Sequence, residues 1–411
     1  MVDIPATTHH AAADSALRTL GAISTAHWVS HFHIFVLPML FPFLKERLGV
    51  SYIDLGFALT LFAVVSGLTQ APIGYLVDRI GARKILIVGM TLGSAALIGL
   101  GLSLSYPSLI VCAALLGLAN SVYHPADYAI LSAHMDETRM GRAFSIHSFA
   151  GFVGGAVAPA IMAALVAGVG GQSALIVAGV IGLAVVLMLI VIGIPDAGAI
   201  HSRNMDGAPA AKVSMLTPAI LLLTVFFTLL SLSQNGINSF GIVAMMTGYG
   251  SSFSAANIAL TGYLGCSAIG VLVGGVLADR TERHSQIAAG CFAINAAIVF
   301  TIASVTLPAL ALTLTMALAG FLSGVIVPSR DMLVRNAAPP GAAGRTFGIV
   351  STGFNFGGIL SPLLFGWLMD HALPGWVFGV SAGFMAATVL LALVSERKPT
   401  FVSGTVSASR R

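Results

Sequence analysis

Apolar residues run along this chain in long uninterrupted stretches, broken at intervals by short groups of Gly, Pro and charged residues. Twelve such runs stand out: 18–44, 54–77, 85–104, 108–131, 143–167, 172–194, 217–247, 254–278, 287–305, 308–333, 346–370 and 375–394. Each is close to or above the roughly 20 residues that an α-helix needs to cross a bilayer. None shows the period-2 alternation over about 10 residues that marks a membrane barrel strand. The pattern predicts an all-α membrane protein with twelve transmembrane helices. The longest polar interruption, 195–216, separates six runs from six and is expected to be a cytoplasmic linker between an N-terminal bundle (18–194) and a C-terminal bundle (217–394). Residues 1–17 carry Asp3 and Asp14 but no Lys or Arg, unlike the basic front of a secretory signal, and are expected to form a flexible cytoplasmic tail. Residues 395–411 are expected to form a basic cytoplasmic tail.

Composition sharpens the class. Of the 411 residues, 57% are hydrophobic and 8% charged, against about a quarter charged in soluble domains. The net charge of +4 reflects topology. With both termini inside, Arg79, Arg83, Lys84, Arg139, Arg142, Arg280, Arg283, Arg335 and Arg345 all fall beside cytoplasmic segments, where basic residues collect, and only Lys45 and Arg47 lie firmly outside. A multi-pass protein of a bacterial inner membrane is expected, with the lipid bilayer as its surroundings, no nucleic-acid partner and a monomeric state favoured. Cys112, Cys266 and Cys291 sit inside spans without C-x-x-C spacing, so neither a disulfide framework nor a zinc site is suggested. No lysine is followed by Ser or Thr in a glycine-rich phosphate loop, no H-E-x-x-H motif occurs, and the outer loops leave no room for a catalytic domain. An enzyme is excluded, and no cofactor or metal is expected.

The two halves repeat. At an offset of 203, Gly117 falls on Gly320, Pro125 on Pro328, Arg142 on Arg345, Gly154 on Gly357 and Pro159 on Pro362; at 201, Gly74, Asp78 and Arg79 fall on Gly275, Asp279 and Arg280. Six spans per half give both halves the same in-out sense, a parallel pseudo-twofold repeat of the kind found in two-halved transporters. The stretch Gly74-Tyr-Leu-Val-Asp78-Arg79-Ile-Gly81-Ala-Arg83-Lys84 closely resembles the signature loop of the major facilitator superfamily, with a degenerate copy at Gly275 to Arg283. The first half further resembles the fosmidomycin-resistance group through Leu37-Pro38-Met-Leu-Phe-Pro42-Phe-Leu-Lys45-Glu46, Tyr52, Leu55-Gly56 and His124-Pro125. The resemblance implies the superfamily's fold and alternating access, with the first, fourth, seventh and tenth helices lining a central cavity.

Polar side chains inside a bilayer are costly and usually face a bundle interior or a water-filled path. Three sets lie at helical spacing on one face of their spans: Ser24, His27, Trp28 and His31; Asn120, Tyr123, His124 and Asp127; Ser231, Gln234, Asn235 and Asn238. The candidate substrate cavity is therefore His27, Trp28, His31, Asn120, Tyr123, His124, Gln234, Asn235, Asn238 and Arg330. Ser, Asn, Gln and His also commonly bridge neighbouring membrane helices, which is the alternative for any one of them. Asp127 and Arg330 occupy equivalent positions under the repeat. They are expected to form an ion pair across the cytoplasmic mouth, or to exchange it with Asp331. Histidine changes charge near neutral pH, so Asp127, His31 and His124 are the candidates for proton coupling, within a set that also contains His27, His33 and His147. By resemblance, Asp78, Arg79, Arg83, Arg142, Asp279 and Arg280 form a cytoplasmic latch, joined in the gate by Asp331.

The function expected is secondary transport of a small polar, anionic or drug-like solute, by proton-coupled efflux in antiport. The runner-up is proton-coupled uptake of a small organic anion or other solute. A transition-metal transporter or membrane redox protein is a different class, kept because His27 and His31 at i, i+4 could share a ligand face.

Overall fold

The computed structural model describes residues 6–135, 139–194, 217–281, 283–338 and 343–396. These form thirteen helices and no strand: α1 (Ala6–Met39), α2 (Phe41–Leu48), α3 (Tyr52–Ile80), α4 (Ala82–Leu102), α5 (Tyr106–His134), α6 (Met140–Val169), α7 (Gly171–Ile192), α8 (Pro218–Tyr249), α9 (Phe253–Asp279), α10 (His284–Ser304), α11 (Ala309–Ala337), α12 (Ala343–Asp370) and α13 (Gly375–Glu396). The linker 195–216 and the tail from 397 onward lie outside the described residues. Helix α1 begins at Ala6, inside the stretch read as a tail.

Eleven helices are long and apolar enough to span a bilayer, and a bent pair supplies the twelfth. That pair, Ser15–Met39 and Phe41–Leu48, turns by 48° where a single straight run, 18–44, was expected. Proline lacks the N–H that an inner helical turn needs and its ring crowds the carbonyl four residues back. Pro42 cannot bond the Pro38 carbonyl and Pro38 cannot bond the Ile34 carbonyl, so two successive turns are weakened and the helix breaks at Leu40. Helix starts follow side-chain capping: the hydroxyls of Ser51, Ser105, Thr217 and Ser252 accept the N–H of the residue three positions on, at 3.0, 3.3, 3.3 and 3.2 Å. Gly49 and Gly250, both at φ 64°, close α2 and α8 in the left-handed conformation that glycine adopts without penalty.

The sequence repeat is a repeat of contacts. In the first half α3 packs on α5, α1 on α6, and α4 on α5 and α7; in the second, α9 packs on α11, α8 on α12, and α10 on α11 and α13. Small residues set these seams. Gly117 of α5 lies against the Phe62 carbonyl of α3, and Gly320 of α11 against the Tyr263 carbonyl of α9, a match at the offsets of 203 and 201 found in the sequence. Gly154 on the Trp28 backbone recurs as Gly357 on Ser231. The three cysteines are free.

Between the halves, α3 runs along α12. At one end the contact is tight: Gly366 faces the Tyr52 carbonyl, Gly56 faces the Pro362 carbonyl, and the Thr60 hydroxyl donates to the Ile359 carbonyl at 2.9 Å. Here the Asp370 carboxylate accepts from the backbone N–H groups of Tyr52 and Ile53, both at 2.8 Å, and meets Lys45 Nζ at 3.6 Å. A carboxylate on the first N–H groups of a helix satisfies orphan donors and complements the helix dipole. Toward the other end the two helices part. A Cβ on Gly67 would only just touch Asn355, and Leu68 and Tyr75 beyond it are 74% and 76% exposed. The molecule is closed at its Asp370 end and open at its Asp78 end.

Candidate functional site

A cavity of about 270 Å³ lies between the halves. From the first half α1 contributes His31 and Phe35, and α6 contributes Gly151, Phe152 and Gly155. From the second half come Gln234 and Asn238 of α8, Tyr263 and Ser267 of α9, Ser323, Val327 and Arg330 of α11, and Phe354 of α12. Four expected residues, His31, Gln234, Asn238 and Arg330, thus share this wall. Under the offset of 203, His31 and Gln234 are counterparts, so the repeat puts one polar group from each half on the cavity.

Behind His31, within the first half, lies a second centre. His27 Nδ1 and His147 Nε2 each stand 3.5 Å from Asp127 Oδ2, and Asp127 is fully buried. The His27 ring stacks on His147 at 4.0 Å between centroids and meets the rings of His31 and His124 at 4.6 and 5.6 Å. Three helices converge to make this cluster, and Gly151 of α6 makes room for it. A Cβ there would sit 2.6 Å from the His27 ring and 3.0 Å from that of His31. Both Asp127 oxygens, His27 Nδ1 and both His147 nitrogens lack a hydrogen-bond partner in the protein. Burying a carboxylate without full pairing is costly, so the fold pays a standing penalty to keep this acid among imidazoles.

The same three residues offer one donor atom each within 4.8 Å of one another, a set that could chelate a divalent cation. The His27–His31 pair on one helix face is not that set. His147 of α6 and Asp127 of α5 join His27, a juxtaposition that spacing along one helix does not reveal.

The expected Asp127–Arg330 pair is absent from this conformation, and the reason is burial. Asp127 is enclosed by its own half, whereas Arg330 Nε donates to the neighbouring Asp331 Oδ1 at 3.0 Å. The Arg330 guanidinium also lies 5.1 and 4.9 Å from the ring centres of Phe227 and Phe354, a cation–π arrangement. Helix α11 continues to Ala337, past the end of the apolar run at 333, so Arg330 stands two turns inside the helix instead of at its rim.

Other expected cavity residues lie elsewhere. Asn120 and Tyr123 line a separate void of about 10 Å³ inside the first half, with Ser30 and His33; Asn120 Nδ2 donates to Ser66 Oγ at 2.8 Å and ties α5 to α3. Trp28 stacks on Phe32 at 5.7 Å and packs against the core. Asn235 donates to Ser231 Oγ at 3.0 Å within α8. His33 Nε2 bonds the Ala178 carbonyl at 3.0 Å, bridging α1 to α7.

At the open end Asp78, Arg79, Arg142 and Arg280 are exposed, and Arg83 is half-buried. Among the described residues Asp78, Arg142 and Arg280 take part in no ion pair, whereas Arg83 has a partner. Asp331 pairs with Arg330 of its own helix, and the Asp279 side chain lies outside the described residues.

Sequence reasoning missed Tyr263, Ser267 and Ser323, and missed Asp370 at the closed end. The repeat carried a signal for two of them. Ser323 is the counterpart of Asn120 at 203, and Ser267 that of Ser66 at 201, so the two positions of the polar pair that bridges α5 to α3 carry serines in α11 and α9.

The comparisons agree with this architecture. The chain is 27% identical over 273 residues to the fosmidomycin resistance protein of Escherichia coli, a match covering 64% of this chain and 66% of that protein. It is 25% identical over 256 residues to the uncharacterized MFS-type transporter YfnC of Bacillus subtilis, covering 61% and 62%. Both matches thus span just under two thirds of the relative's length. Among solved structures, a bacterial homologue of the human lysosomal transporter Spinster, in an inward-facing and occupied conformation, superposes with a TM-score of 0.74 at 16% identity, over 92% of this chain and 94% of that one. The family model for the Major Facilitator Superfamily matches residues 23–240 and 224–410. With twelve spans, a repeated six-helix plan and a polar cavity between the halves, the chain belongs to the Major Facilitator Superfamily of membrane transporters.

Proposed function

We propose that this protein exports a small organic anion in exchange for protons, with the cavity between the halves binding the anion and the buried Asp127 cluster carrying the proton. The observation that carries this reading is the nearness of two centres: Arg330 lines the cavity together with His31, and the His31 ring meets that of His27, which stands 3.5 Å from Asp127. Arginine stays protonated under all working conditions and is an anion partner. Asp127 is faced by His27 of α1 and His147 of α6, with His124 and Tyr128 of its own helix adjoining those rings. A proton gained or lost there changes the charge of a group that is fully buried. A penalty of several kcal/mol is enough to shift two conformations that differ by a few kcal/mol.

Basic residues support an orientation. Arg79, Arg83, Lys84, Arg142, Arg280 and Arg335 belong to the Asp78 end, and Lys45 and Arg47 to the opposite end, which by the positive-inside tendency makes the Asp78 end cytoplasmic and this conformation inward-facing. Export as the direction rests on the likeness to a resistance protein.

The test is proton movement in sealed proteoliposomes challenged with small carboxylates, phosphonates and sulfonates. Anion-triggered proton flux opposite to the anion is the expected result. Flux in the same direction would replace export by uptake, and anion movement without proton flux would reject the coupling.

A further inference from the structure

Between α9, α10 and α11 lies a hydrogen-bonded set that the transport reading leaves unused. Asn295 of α10 is fully buried, and its Nδ2 donates to Ser323 Oγ at 2.8 Å; Ser323 Oγ lies 3.2 Å from Tyr263 Oη. Both residues line the cavity that also holds Arg330. Their meeting is enforced from below, because Gly320 on the Tyr263 carbonyl and Gly324 on the Ser267 carbonyl bring α11 against α9 closely enough for the two side chains to touch.

The hydrogens can be counted. Two hydroxyls carry two, and an amide nitrogen only donates. Ser323 Oγ accepts from Asn295, so the contact between the hydroxyls consumes one hydrogen, whichever of them gives it. No other acceptor holds either hydroxyl among the described residues. One O–H therefore remains, on Tyr263 or on Ser323, both of them residues that line the cavity.

We infer that Tyr263 and Ser323, backed by Asn295, form a neutral oxyanion-receiving subsite that supplies one hydroxyl hydrogen to the carboxylate, phosphonate or sulfonate of the transported anion. The inference rests on the anionic cargo proposed above and adds the groups that recognise it. Arg330 brings the charge. Its Nε is committed to Asp331, which leaves the terminal edge of the guanidinium as the side able to meet an oxyanion. Hydrogen bonds to a charged acceptor are roughly twice as strong as neutral ones, so the free hydroxyl hydrogen discriminates an anion from its neutral analogue.

The count makes an uncommon prediction. Tyr263→Phe leaves the Ser323 hydrogen free, and Ser323→Ala leaves the Tyr263 hydrogen free, so either change alone preserves one donor. Only the double variant removes it. Equilibrium binding of acetate, methylphosphonate and sulfoacetate to the purified protein in nanodiscs, with acetamide as the neutral control, reads this directly. Each single variant is expected to bind the preferred anion within about threefold of the wild type, and the double variant about tenfold or more weaker, the scale of one lost charge-assisted hydrogen bond, with acetamide unchanged. Elution as a single species with an unshifted melting temperature checks that the double variant is folded. A double variant that binds like the wild type overturns the subsite and leaves the cargo reading standing. So does a reversed Asn295 amide, which would consume both hydrogens and make all three variants silent. If the wild type binds none of the three anions, while its thermal unfolding remains cooperative, the anionic cargo and this subsite fall together.

Discussion

The two halves of this protein share a scaffold and differ in chemistry. Gly117 and Gly320, or Gly154 and Gly357, do the same packing at the same offset. Yet where the first half has Asp127 and His147, the second has Arg330 and Val350; where the first has His27, the second has Leu230. One half thus buries an acid among imidazoles with no hydrogen-bond partner, while the other turns a permanent cation toward the cavity, braced by Asp331, Phe227 and Phe354. Close contacts between small residues tolerate no change, so the repeat stays readable there. Side chains facing the cavity are free of that constraint, and under the proposal above the first half would carry the protons and the second the cargo.

The shared scaffold is the first place to break the comparison. Gly117→Leu and Gly320→Leu each drive a side chain into a backbone carbonyl, a clash that repacking cannot relieve. Both are expected to cost more than the 1–3 kcal/mol typical of an overpacked core and to lower the yield of folded protein alike, measured by size-exclusion of detergent extracts. A tolerant Gly320 beside an intolerant Gly117 would mean that the halves are not packed alike. The chemistry comes next. Arg330→Gln keeps a hydrogen-bonding side chain but removes the charge, and is expected to weaken anion binding at least about tenfold, since hydrogen bonds to charged groups contribute about 1.5–3 kcal/mol. A change in the buried cluster of the first half, His147→Gln, is expected to leave equilibrium binding within about twofold, because His147 is not among the residues lining the cavity.

Smaller effects sharpen the account of the closed end. Asp370→Ala removes the acceptor of two helix N–H groups, and loss of such a cap costs about 0.5–2 kcal/mol. The population open at that end should rise, by an amount readable from distances between spin labels on α3 and α12 at the Asp370 end. Lys45→Met should shift the same distances far less. Lys45 is partly exposed at 37%, it stands 3.6 Å from Asp370, and exposed pairs contribute about 0–1 kcal/mol.

Much of the fold was legible because a bilayer imposes long apolar runs, and apart from the first run, where α1 starts at Ala6 and breaks after Met39, the runs predict the helices to within about a turn. Helix ends were less so. Arg330 looked close to a terminus because the apolar pattern fades at 333, but backbone hydrogen bonding carries α11 on to Ala337 through polar residues. The bend at Leu40 was written in Pro38 and Pro42, yet an unbroken apolar run hid it. At the site, helical spacing put His27 and His31 on one face of α1, and the repeat equated Asp127 with Arg330. Equivalence under a pseudo-twofold axis does not bring two residues together, and Asp127 turned inward to residues of α1 and α6 that no spacing along α5 could name. Tyr263 was hidden for another reason: its helix has no charged stripe, and its role depends on hydroxyls that become partners only across the α9–α11 seam.

The claim that the halves divide coupling from cargo is tested most directly by Asp127→Asn in proteoliposomes, with anion exchange and proton flux followed in the same vesicles. The account predicts that anion-for-anion exchange persists while anion-driven proton flux disappears. Loss of both together, in a folded protein that still binds the anion, would contradict the division, and undiminished proton flux would remove Asp127 from the proton path altogether.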